Sequence, residues 1–355
     1  MISLGPRWSE GLLAATLAVG LGLLLSGCGG EEVAQTEDKI ALLSTDTPLR
    51  EPVWVNKPNF AIALREDRPQ VVKFNASAGA PGEGNLGPGA LDSSGKLEGA
   101  GEDMALNHLK EDRAYLPQPD LGRVALLNTT DLREVRSFDL GGDPEWVAVH
   151  PGSQTLFALS GDGSTVTTVD LKEPKKTFDF EINAGEGARI ETPERGLEPE
   201  FWTWGPDGIS HYTGFPPERK VGMPINAGAF AVDIEAAQRA YVGEGTSDRV
   251  VAVEGDPQGE LNGKLRTVAE QDLGEKAEHL DAEELRVIAA TQNKLVEMRR
   301  ENLDVLETVD FRSFLEQQGL GDARVSGMAV TGDRVYLTLE GEPYILSIQK
   351  TDKTH

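Results

Sequence analysis

Side chains able to hold or transform a ligand are few in this chain, and the densest group lies between residues 186 and 219. Trp202 and Trp204 stand one residue apart, with Glu200 just before them and His211-Tyr212 shortly after. Indole and phenol rings supply stacking faces with a polar edge, imidazole donates or accepts, and a carboxylate adds charge. Together they have the parts of a ligand-binding surface, and equally those of an irregular aromatic core. Glu186, Glu191, Glu194, Glu198 and Glu200 line the approach, which reads by composition as a solvated acidic loop. His108 and His150 each stand seven residues before an aromatic, Tyr115 or Phe157, so they share one structural station. The plain reading there is a turn in which imidazole satisfies backbone groups.

Motifs of known chemistry add little. No G-x-S-x-G, H-E-x-x-H, C-x-x-C or P-loop pattern occurs, so no catalytic residue and no cofactor site is assigned, and metal binding stays open. Gly82-Glu83-Gly84-Asn85-Leu86-Gly87 matches the dinucleotide fingerprint. It lacks the strand before and helix after that the motif requires, because the last strand ends near Phe74 and Pro88-Gly89 follows at once. The net charge of −25 disfavours nucleic acid and anionic headgroups and favours cationic partners, metal ions or plain solubility.

Cys28 is the only cysteine, so no intrachain disulfide can form and stability must come from a packed core. It follows an apolar run over residues 12–25 that ends in Leu25-Ser26-Gly27. The run is too short to span a bilayer comfortably, which takes roughly 20 apolar residues. The pattern resembles the lipobox of bacterial lipoproteins. That resemblance implies a diacylglycerol on Cys28, removal of a signal peptide at residues 1–27 and a polar tether over 28–38. The domain would then sit outside the cytoplasm, at the cell surface or in the periplasm, bound to the membrane through its lipid. Gly29, where aspartate is absent, leans towards the outer membrane in two-membrane bacteria, by the same resemblance.

What must position these residues is a set of short strands. Brief apolar runs alternate with Gly, Asp, Asn and Pro turns, the signature of an all-β protein. Arg113-Ala114-Tyr115-Leu116 recurs as Arg239-Ala240-Tyr241-Val242 and Arg334-Val335-Tyr336-Leu337, with looser copies at 155–158 and 286–289. Spacings of 42 residues from Tyr115 to Phe157, 46 from Tyr241 to Val287 and 49 from Val287 to Tyr336 suit four-stranded propeller blades. The unit over 123–150 resembles the YVTN-type propeller repeat of bacterial surface proteins. Its marks are Val124 to Leu127, Thr130-Asp131, residues 135–140, then Gly142-Asp143-Pro144 and Trp146 to Val149.

Seven units are counted, near 39–75, 104–140, 145–182, 200–226, 229–272, 280–311 and 324–350. The unit at 200–226 is short of strands, which keeps six blades as an alternative. Residues 281–306 also carry a helical spacing but fit strands better. The last unit shows three strands, and a spare strand at 39–43 is expected to complete it. Residues 76–103, rich in Gly, Ala, Pro and Ser, form a flexible insertion, and 351–355 a tail. Since the innermost strands read as mostly apolar, the favoured function is a non-enzymatic, lipid-anchored binding or scaffold protein. Its partner is an unspecified protein or small molecule, held by a surface of Glu200, Trp202, Trp204, His211 and Tyr212. A propeller hydrolase of lactonase type and a metal carrier are the alternatives. Replacing Cys28 with Ala should move the protein out of the membrane fraction, as read by cell fractionation and immunoblot.

Overall fold

The computed structural model describes residues 39–56, 60–74, 92–94, 96–110, 112–174, 177–234, 238–255 and 264–351. Cys28, the signal-peptide and tether segments, and most of the Gly-rich insertion lie outside the described residues. Seven four-stranded antiparallel sheets form a seven-bladed β-propeller, which settles the choice between six and seven. The blades cover 49–93, 105–139, 144–181, 189–223, 227–272, 279–310 and 325–349. All five copies of the sequence repeat are the second strand of their blade, as Arg113–Gln118, Thr155–Ser160, Arg239–Glu244, Arg286–Ala290 and Arg334–Leu339.

A four-stranded sheet is apolar on both faces here because each face meets a neighbour. Seven hydrophobic clusters result, one in each gap between blades. The repeated aromatics fill them: Tyr115, Tyr241 and Tyr336 are all buried. Tyr241 donates its hydroxyl to Asp233 at 2.7 Å, so its polar edge is satisfied inside the core. Among the described residues one short α-helix, Arg312–Gln317, joins the last two blades and packs Leu315, with Phe311 before it, into their shared cluster.

Closure uses both ends of the described chain. Strand Ile40–Ser44 pairs with Tyr344–Gln349 from Ile40↔Ile348 to Ser44↔Tyr344 and is the outermost strand of the last blade. Lys39 reaches further, forming an ion pair with Glu307 of the sixth blade. The first unit therefore starts at Leu49. Its fourth strand is Asp92–Ser93, paired with Val72 and Lys73, inside the stretch read from sequence as loop. Leu97 and Met104 are likewise buried against the first two blades.

Blade 4 recovers its missing strand in the acidic stretch, at Arg189–Glu191. Residues 279–310 are four strands, as expected over the helical spacing. Removing residues 39–46 would expose the edge of Tyr344–Gln349 and strip Ile40 and Leu43 from two clusters. At about 1.5–3 kcal/mol per buried aliphatic side chain, the melting temperature should fall by at least several degrees, as calorimetry would read.

Candidate functional site in the central channel

Innermost strands are the constraint from which the site follows. Each presents one row of backbone groups to the channel with no further strand to pair them. Adjacent inner strands stitch these groups with side chains. Asp103 Oδ2 accepts the Val147 N–H at 2.8 Å, Glu191 Oε1 accepts the Val232 N–H at 3.2 Å, and the Thr192 hydroxyl donates to Val149 O at 2.9 Å. Register also shifts in the inner strands of blades 3, 5 and 7 at the same station, and one pair further along in blade 1. The bulge in blade 1 contains Glu51 with φ +45°, a left-handed residue re-aimed by the extra length.

The channel holds a cavity of about 620 Å³ lined by Glu51, Asp103, Glu191 and Asp281 from four blades, with Arg189 and the indoles of Trp54, Trp146 and Trp204. The inner strands are mostly apolar, as expected, but single carboxylates interrupt them at the channel. Burial lifts Glu51 to about 7, with the Asp103 charge adding to it and Arg189 opposing. Burial likewise lifts Glu191 to about 8, despite its hydrogen bond from Val232, with Asp281, Asp103 and Glu194 adding repulsion. Asp281 stands near 7 through burial and the charges of Glu283 and Glu194. His279, on the same inner strand as Asp281, falls to about 4 through burial and the Arg189 charge. Carboxylates poised near neutrality in a cleft can take up a ligand cation or exchange a proton. Among the described residues no three His, Cys, Asp or Glu side chains converge closely enough to hold a metal ion.

The residues singled out by sequence separate into two places. Trp204 lines the cavity, as do Glu194 and His108, whose carboxylate and imidazole lie 3.7 Å apart. Trp202 and His211 are wholly buried and Tyr212 nearly so, so they present no surface. The reason is the fold: both faces of blade 4 are covered. Trp202 stacks on His211 at 4.7 Å, and Phe201 stacks on Tyr212 at 4.9 Å. Glu186 and Glu198 are exposed, in keeping with an acidic loop, whereas Glu191 is not part of one. Sequence reading missed Glu51, Asp103, Arg189 and Asp281. The available signal was a charged residue in or just before the first strand of units 1, 2, 4 and 6, in Glu51-Pro52, Asp103-Met104, Arg189-Ile190 and Asp281-Ala282.

Behind the channel, Glu200 sits between two buried imidazoles, His211 at 3.2 Å and His150 at 3.6 Å. His150 is further fixed by Ser153, whose Oγ lies 2.9 Å from Nδ1. Gly196 (φ +124°) closes over them, and a Cβ there would stand 2.6 Å from Glu200 Oε1. Burial would raise the Glu200 pKa, but the hydrogen bonds and charges of His150 and His211 prevail and hold it at about 2. Its ionised form therefore stabilises the fold above 4.5, and that contribution fades as pH falls towards 2. Glu200→Gln should cost up to about 3 kcal/mol at neutral pH. It should also flatten the decline in stability between pH 4.5 and 2, as urea melts across pH would read.

No protein-family model and no curated protein matches the sequence. Among solved structures, that of U3-55K superposes with a TM-score of 0.64 at 10% identity, over 90% of this chain and 100% of that one. The likeness is one of fold alone.

Proposed function

We propose that this chain is a lipid-anchored, extracytoplasmic binding protein that carries its ligand in the central cavity. The observation behind this reading is the cavity lining, in which three tryptophans alternate with carboxylates from four blades. Aromatic faces supply contact area and the carboxylates supply charge, as in small-molecule sites generally. The lipobox resemblance at Cys28 and the YVTN-type repeat at 123–150 support the address, a propeller displayed from a bacterial membrane. The acidic balance of the chain disfavours nucleic acid as partner. A rigid ring on a polar tether suits capture of a small molecule or of a protein loop.

A hydrolase reading draws on the same carboxylates, since groups titrating near 7 suit general acid–base work. The metal-carrier reading draws only on net charge. A thermal-shift screen of small molecules, run beside turnover assays on esters, lactones and phosphate esters with and without divalent metal, separates these. Ligands that raise the melting temperature and are recovered unchanged are expected, with affinity reduced about tenfold or more by Trp204→Ala. Turnover lost in Asp281→Asn would move the protein to the hydrolases.

A further inference from the structure

Arg189 opens the first strand of blade 4 and lines the cavity. Its guanidinium lies 4.4 Å from the ring centre of Trp146 and 5.3 Å from that of Trp204, so cation–π contacts to two blades fix its place. Its backbone pairs with Trp204, but among the described residues its guanidinium makes no hydrogen bond and no ion pair. An arginine carries five N–H donors in a planar fork that matches a carboxylate. Here the aromatic contacts hold the group while leaving the donors unspent. Glu51 and Asp103 feel its charge without touching it.

The lining is thus bipolar, with one fixed cation among carboxylates. A simple cation of any size would meet Arg189, and a simple anion would meet Glu51, Asp103, Glu191 and Asp281. A dianionic phosphate would fare worse still. A molecule carrying both signs meets complementary charge at each end.

We infer that the cavity binds a zwitterionic small molecule of the amino-acid or short-peptide class, with its carboxylate forked on Arg189 and its ammonium at Glu191 and Asp281. This rests on the binding reading above and names its ligand class. It also links binding to proton release, because an arriving ammonium favours the ionised form of the carboxylates it meets.

Calorimetric titration of the purified protein with tri-alanine, its N-acetyl form and its C-terminal amide tests the inference. Tri-alanine should bind, and either cap should weaken binding by about tenfold or more. Arg189→Gln should erase the preference for free acid over amide without lowering the melting temperature, and Arg189→Lys should keep part of it. Asp281→Asn should weaken the free-amine peptides and leave the N-acetyl form unchanged. Equal binding of all three peptides would overturn the inference, as would tighter binding of the amide or full affinity in Arg189→Lys. If no peptide binds while other small molecules raise the melting temperature, the ligand class is wrong and the binding reading stands. If neither peptides nor the wider screen give a ligand, both fail.

Discussion

The exposed inner edge of each blade is the constraint on which this structure turns. A closed ring covers the faces of every sheet but leaves each an outer edge facing solvent and an inner edge facing the channel. The chain satisfies those backbone groups with side chains from the adjacent inner strand, as Asp103 does for Val147 and Glu191 for Val232. Ser326 does the same for Leu49 across the closing seam. A carboxylate is a strong acceptor for an orphan N–H, so acids are drawn to the very place where water is scarce.

The electrostatic character of the channel follows from that placement. Each carboxyl raises the cost of ionising the next, and depth adds to the effect. Glu191 thus does two jobs, holding the inner strand of blade 5 with one oxygen and lining the cavity. Glu200 shows the opposite outcome a few residues along the same chain. There His150 and His211 stand beside the carboxylate, and their hydrogen bonds and charges outweigh the cost of burial, so ionisation becomes favourable. The contrast between Glu191 and Glu200 comes from their neighbours and from the deeper burial of Glu191.

Much of the ring was legible in the sequence because the second strands are long, fully buried and marked by Tyr115, Tyr241 and Tyr336. The closing strand at Ile40–Ser44 could be read from the missing fourth strand of the last unit. Inner strands were harder: Ala105–Leu106 has two residues, Arg189–Glu191 three and His279–Ala282 four. Strands so short show no periodicity, and their charged residues look like loop. The fourth strand of blade 1, Asp92–Ser93, was hidden for the same reason. At the site, Trp204 and Glu194 were named and do line the cavity. Trp202, His211 and Tyr212 were taken for a surface because an aromatic cluster in an irregular unit looks free, whereas neighbouring blades cover both faces of each sheet.

The route by which the ring is closed has a mechanical side. If the protein hangs from a lipid, any pull on the anchor enters the ring at Lys39, at the end of the outermost strand of blade 7. Ile40 and Ile348 are the first pair under load, so the strand would peel from that end one pair at a time rather than shear along its length. Two fastenings stand at that point: the Gln349 N–H donates to Lys39 O at 2.9 Å, and the Lys39 ammonium grips Glu307 of the neighbouring blade. The ion pair spreads tension from one blade to two before the first hydrogen bond of the seam is stretched.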